Sequence, residues 1–207
     1  MEPNIPILYE DAQVLCCVKP AGILSQAAPG GEATLLTYLE AQTGSPVYPV
    51  HRLDRQTGGV MVFAKTKEAA ASLSKQAADR TLKKRYCALV HGKVEPAEGE
   101  LEDWLFKDAR TNKVFVVRRE RKGVRKAKLH YTVESFDGFV SRVGVLLDTG
   151  RTHQIRVQFA SRRHPVVGDR RYGAKDDSAG LCLWSRSVAF CHPATGERLQ
   201  FEEKEPF

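Results

Sequence analysis

In the stretch HRLDRQTGG (51–59), His51, Arg52, Asp54 and Arg55 fall within five residues, followed by Thr57, Gly58 and Gly59. If the segment is extended after Pro49, alternation puts Arg52 and Asp54 on one face and His51 and Leu53 on the other. A guanidinium beside a carboxylate lowers its pKa and keeps it ionised, and an ionised carboxylate serves as a nucleophile or a base. An isolated R-x-D is commonly no more than a surface ion pair, which contributes little. The histidines offer a second chemistry, with His51, Asp54, His153 and His164 as imaginable ligands of a hydrolytic metal centre. No H-x-x-x-H or H-E-x-x-H spacing supports it, and no metal is expected.

Composition narrows the partner. Of 207 residues, 32 are Lys or Arg and 25 Asp or Glu, giving +7 and a pI near 9.2, a balance that favours a polyanion. The excess is clustered. Residues 113–128 hold Lys113, Arg118, Arg119, Arg121, Lys122, Arg125, Lys126 and Lys128 against Glu120 alone, and are expected to form a loop that selects RNA. Residues 161–175 add Arg162, Arg163, Arg170, Arg171 and Lys175 against Asp169. Either cluster alone is as readily a solvated face; together they suit a nucleic acid. The five cysteines include no C-x-x-C pair and read as reduced, mostly buried thiols. No apolar run approaches the roughly 20 residues that cross a bilayer, and the start has no signal-peptide features, so a cytoplasmic protein without membrane contact is expected.

The elements that must position these residues follow from periodicity. Residues 13–22 read as a buried strand stopped by Pro20 and Gly22, and ATLLTYLEAQTG as a helix ending near Gly44. GVMVFAKT (59–66) has strand length and hands over to an Ala-rich helix that Thr66 caps. Gly58 and Gly59 read as a turn. RYCALVHG (85–92) is a strand on which Tyr86 is either a core aromatic or one presented to a ligand. Asp137 and Gly138 mark a hairpin, and a helix is expected from Thr152 with Ile155 and Phe159 on its buried face. Trp104 and Trp184 read as packing residues. Strands outnumber helices and follow one another through hairpins, which argues for an α+β fold with a mixed, largely antiparallel central sheet. No repeat or linker is visible, so one domain over residues 1–207 is expected.

The segment VHRLDRQTGGVMVFAKT resembles the H-R-L-D motif of the RluA-type pseudouridine synthases. Further matches run in order: VLCCVKPAGILSQ, KKRYCALVHGKV, DTGRTHQIRVQFASRRHPVVGDRRYG and LWSRSVAFCHPATGE. Together H-R-L-D and G-R-T-H-Q-I-R are highly specific. The resemblance implies the pseudouridine synthase fold and isomerisation of uridines in ribosomal or transfer RNA, with no cofactor. It implies that Asp54 is the essential carboxylate, that Tyr86 stacks on the target uracil, and that Arg156 pairs with the catalytic Asp. Arg52 would lie near the flipped nucleotide, with Arg55, Arg118, Arg119, Arg151, Arg162 and Arg163 as further RNA contacts. His51 and His153 would be structural. Many relatives read D-T-S-G after H-R-L-D-R and I-R-V-H later; this chain has Gln56, Thr57, Gly58 and Gly59, and Gln158. The S4-like module of some relatives is not seen, so recognition is expected from the catalytic domain or a partner, with a monomer as the expected state. The rival readings are a non-catalytic RNA-binding or ribosome-assembly protein on the same fold, and a metal-dependent nuclease.

Overall fold

Asp11 shows how local chemistry starts the sheet: its Oδ1 accepts from the N–H groups of Gln13 and Val14, each at 2.7 Å, and turns the chain between two strands. The computed structural model describes residues 3–26 and 31–207. The chain divides into two compact units, Met1–Arg85 with Trp184–Phe207, and Tyr86–Leu183. The sequence drew no such division.

The first unit begins with β1 (Ile7–Glu10) and β2 (Val14–Lys19), then α1 (Leu35–Thr43), β3 (Tyr48–Pro49), β4 (Gly58–Ala64) and α2 (Lys67–Ala78). Helix α1 starts at Thr34, whose side chain caps Thr37, and stops at Gly44 in the left-handed region at φ 65°. Thr66 caps α2 by accepting from the N–H of Ala69, as expected.

The second unit holds β5 (Lys83–His91), which begins just before the division, then β6 (Glu98–Asp108), β7 (Lys113–Val117), β8 (Val124–Phe136), β9 (Val140–Leu147) and α3 (Gln154–Ser161), with a 3-10 turn at Arg170–Tyr172. Its strand order is β5-β9-β8-β6-β7, which makes β7 an edge. The chain then returns through β10 (Leu183–Cys191) and β11 (Arg198–Glu202). In the first unit the order is β1-β2-β4-β10, with β3 on β4 and β11 on β10. Strands β4 and β10 run parallel, and the other described pairs, such as β2 with β4 and β6 with β8, run antiparallel. The α+β class and the mixed sheet are therefore present.

Strand β4 is buried at every residue, which explains its continuous apolar run. Val60, Val62 and Ala64 pack with Val14, Cys16, Leu73, Val188 and Phe190 in the first unit's core. In the second, Leu105, Val114, Ala127 and Val157 form a smaller cluster under α3. All five cysteines are free thiols; burial pushes Cys17 up to about 12 and Cys16 up as well, so neither is reactive.

Three local expectations change. The basic run 113–128 is not a loop: Lys113 lies in β7, and Arg125, Lys126 and Lys128 lie in β8. Only residues 118–123 connect them. Helix α3 starts at Gln154, not Thr152, because His153 sits at φ 51°, outside helical space. It is buried from Gln154 to Phe159 on every side rather than along one face. Gly58 and Gly59 open a strand rather than forming a turn. A Cβ on Gly58 would run into the Trp184 ring, and one on Gly59, at φ 115°, into the backbone of Ser185.

No helix is long and apolar enough to cross a membrane, and among the described residues no group of three or more His, Cys, Asp or Glu is placed to hold a metal ion.

Candidate active site

Asp54 stands in the turn before β4, where the Thr57 N–H donates to its backbone carbonyl at 3.0 Å. The KPAGILS segment holds that turn from two sides. Ser25 brackets the preceding residue: its Oγ accepts from the Leu53 N–H at 3.1 Å and donates to the Leu53 carbonyl at 2.9 Å. Lys19, with no exposed surface, donates from Nζ to the carbonyls of Pro20 (2.8 Å), Arg55 (3.1 Å) and Thr57 (2.9 Å). The Gly22 N–H donates to the Arg55 carbonyl as well. A buried ammonium with all three protons used is a rigid anchor. Burial lowers its pKa to about 8, opposed by the negative charge of Asp54, which places the anchor within electrostatic reach of that carboxylate.

His51 is neutral. Its Nε2 accepts from the Val62 N–H at 3.2 Å, so the ring proton is on Nδ1, and burial, then the charge of Lys84, lowers its pKa to about 3. The expected structural role fits this geometry. Arg52 is exposed, whereas Arg55 gives both Nη atoms to Glu32, at 2.7 and 3.2 Å, and its Nε to the Gly22 carbonyl. The charge of Arg55 is thus matched within the protein.

In the second unit, Arg156 and Asp169 form a buried bidentate pair, Nε to Oδ2 at 2.6 Å and Nη2 to Oδ1 at 2.9 Å. The Tyr172 ring lies against the same guanidinium, 5.2 Å from Cζ. Its hydroxyl accepts from the Val114 N–H at 2.9 Å and shares a second hydrogen bond with His153 Nδ1, 2.8 Å away. The GRTHQIR and GDRRYG segments are thus locked through Arg156, Asp169, Tyr172 and His153. Gln154 adds three bonds, accepting from Thr149 Oγ1 and the Arg151 N–H and donating to the Lys128 carbonyl. That satisfaction is why polar residues sit in a helix buried all round.

Tyr86 is buried, at the first residue of the second unit. Of the expected RNA contacts, Arg118, Arg119 and Arg163 are all exposed. Arg151 is exposed and ties its Nε to the Lys126 carbonyl. Arg162 is paired with Asp103 at 2.9 Å, and Gln158 donates from Nε2 to the same carboxylate at 2.7 Å, so the Gln158 departure joins an internal network while its Oε1 stays buried without a partner among the described residues. Sequence reasoning missed Lys19, Ser25, Asp169 and Tyr172 as positioning residues. Their signal was present, since all four lie inside segments that carried the resemblance.

Comparison with known proteins identifies the family. The RNA pseudouridylate synthase family model matches residues 13–161, a span that holds Asp54, Tyr86 and Arg156. An uncharacterized RNA pseudouridine synthase of Aquifex aeolicus is 36% identical over 225 residues, which are 98% of this chain and 71% of that protein. Ribosomal large subunit pseudouridine synthase C of Buchnera aphidicola subsp. Schizaphis graminum is 32% identical, over 93% of this chain and 65% of that one. Among solved structures, human RNA pseudouridylate synthase domain containing 1 superposes with a TM-score of 0.81 at 25% identity, covering all of this chain and 87% of that one. The chain belongs to the RNA pseudouridylate synthase family, in its RluA-type branch.

Proposed function

We propose that this chain isomerises uridine in ribosomal or transfer RNA to pseudouridine, with Asp54 as the essential carboxylate. The N1–C1′ bond breaks, the uracil turns, and C5 joins C1′; C5 gives up its proton and N1 gains one, so composition is unchanged. No electron, hydride or phosphate moves, and the reaction calls for no cofactor. The observation that carries the proposal is the Asp54 turn, held rigid by Lys19 and Ser25 with a buried ammonium within electrostatic reach. Pre-organisation of this kind is what a carboxylate needs to meet a reacting atom without reorganising at the moment of reaction. Asp54 acts by attack at C1′, by attack at C6, or by removing the C2′ proton.

Tyr86 is assigned to stacking on the uracil and Arg156 to sustaining the charge of Asp54. A flipped base is required, and flipping costs least in loops and bulges. The Buchnera relative's name supports ribosomal RNA as the first pool to try.

The test uses ribosomal and transfer RNA pools tritiated at uridine C5. Release of tritium by the native chain from one pool, and none by Asp54→Asn, is the expected result. No release from either pool with RNA binding intact would favour the non-catalytic RNA-binding reading. Chain cleavage that EDTA abolishes would favour the nuclease.

A further inference from the structure

An open groove of about 470 Å³ lies in the second unit, and of its lining residues only Tyr172 has a role in the candidate active site. Edge strand β7 forms one wall, and α3 with the 170–172 turn forms the other. Its volume is within the range of about 300–1,000 Å³ usual for ligand sites. Lys113, Arg170 and Arg171 line it, and none of its lining residues is acidic.

Two aromatic rings stand in this basic setting. Phe115 is 43% exposed on β7, and Tyr172 is fixed by its hydrogen bonds to Val114 and His153. The Nζ of Lys113 lies 5.8 Å from the Phe115 centroid and 5.6 Å from that of Tyr172, so one cation spans both rings. Arg171 is anchored through Nη1 to the Asn112 carbonyl at 2.7 Å, which sets its charge at the rim, and Arg170 is exposed. An exposed phenyl face flanked by three cations suits a ligand with a flat π surface and an attached anion. An apolar protein partner would leave those cations unpaired, and an acidic peptide would not use the ring.

The geometry points to a subsite for one unpaired nucleotide of the RNA, other than the target uridine, with its base stacked on Phe115 and its phosphate held by Arg170 and Arg171. This rests on the proposed action on RNA. Lys113 leaves the rings for the phosphate when the base enters.

The experiment titrates the full chain with a fluorescein-labelled ten-nucleotide single-stranded RNA, followed by anisotropy. Phe115→Ala should weaken binding about tenfold, and Phe115→Trp should restore it, since any aromatic face stacks. Phe139→Ala removes a ring that is 82% exposed on the β8–β9 turn and should leave affinity as it was. Replacing Arg170 and Arg171 by Ala should reduce the salt slope of log K by about 0.7 for each phosphate no longer neutralised. Unchanged affinity in Phe115→Ala, or equal losses in Phe115→Ala and Phe139→Ala, would overturn the subsite. A fluorescent ATP analogue binding as tightly as the RNA would overturn it too, in favour of a free nucleotide. Tritium release keeps the two proposals separate. If the native chain releases tritium and Phe115→Ala binds normally, the subsite fails alone; if no pool releases tritium but Phe115→Ala loses affinity, the enzyme reading fails alone.

Discussion

The Nζ of Lys19 lies 2.9 Å from the carbonyl oxygen of Thr57, 38 positions away in sequence, and with its bonds to Pro20 and Arg55 it fixes the backbone that follows Asp54. Lys19→Met removes the donor from the Pro20 and Thr57 carbonyls, while the Arg55 carbonyl keeps the Gly22 N–H, at a cost of at least about 2 kcal/mol in urea unfolding. Displacement of Asp54 by as little as about 1 Å is enough to lower kcat by about a hundredfold. A variant within about twofold of the native kcat would show that the anchor does not position the carboxylate.

The same residue gives an alkaline signature. Burial brings its pKa from 10.5 to about 8, so on passing pH 8 the folded chain releases a proton that the unfolded chain keeps until about 10.5. The unfolded state then binds more protons, and the contribution of Lys19 to stability rises with pH across that window. A neutral amine nevertheless has two protons for three carbonyls. Activity should therefore fall with an apparent pKa near 8 while the urea midpoint shows no matching loss. Midpoint and rate falling together would assign the limb to unfolding instead.

Arg156 and Asp169 form the corresponding lock in the second unit. Asp169→Ala leaves a buried guanidinium without its bidentate partner and should cost about 3–5 kcal/mol. Tyr172→Phe keeps the ring against Arg156 but removes the acceptor for Val114 and the hydroxyl that bonds His153 Nδ1, for about 1–3 kcal/mol. Equal losses from the two changes would mean that the hydroxyl, not the ion pair, carries the lock.

Much of this was legible because it is local. The end of α1 at Gly44, the cap at Thr66, the apolar run of β4 and the turn at Asp137 and Gly138 each depend on neighbours a few residues away, and a period, a cap residue or a dipeptide reports them. Lys19 was passed over because a lysine at a strand end is ordinarily exposed; only the three carbonyls brought to it by residues 20–57 make its burial possible. Strand β6 was missed because its charged residues alternate on an exposed face, with few apolar residues to declare a period. The α3 start was misplaced because nothing in GRTHQ announces that His153 turns left-handed. The basic run misled in the opposite sense, since half of its eight basic residues lie on β7 and β8, two strands that each pair with β6.

Two glycines separate steric exclusion from backbone strain. Gly59→Ala must place a methyl against the backbone of Ser185 at φ 115° and should cost more than about 3 kcal/mol. Gly196, at φ 74°, faces open space, so Gly196→Ala adds only left-handed strain of about 1 kcal/mol. Similar midpoints for both in urea would refute the close approach of β4 and β10.

Acid should act first through His51. Its pKa falls from 6.5 to about 3 in the folded chain, so between those values the unfolded chain takes up a proton that the folded chain refuses, and stability is lost as pH falls. Asp176 acts lower: burial works upward on it, but hydrogen bonds from His91 and the N–H groups of Gly168 and Ser178 prevail and bring it to about 2, so its contribution fades only below about pH 4. The window from about pH 6.5 to about 4.5 therefore separates the two. His51→Gln offers Val62 an amide oxygen that does not titrate. Its urea midpoint should start below that of the native chain at about pH 7.5 and decline less steeply through the window. Parallel slopes for the two proteins would mean that His51 takes up its proton in the folded state as readily as in the unfolded one, and that the bond from Val62 does not hold it neutral.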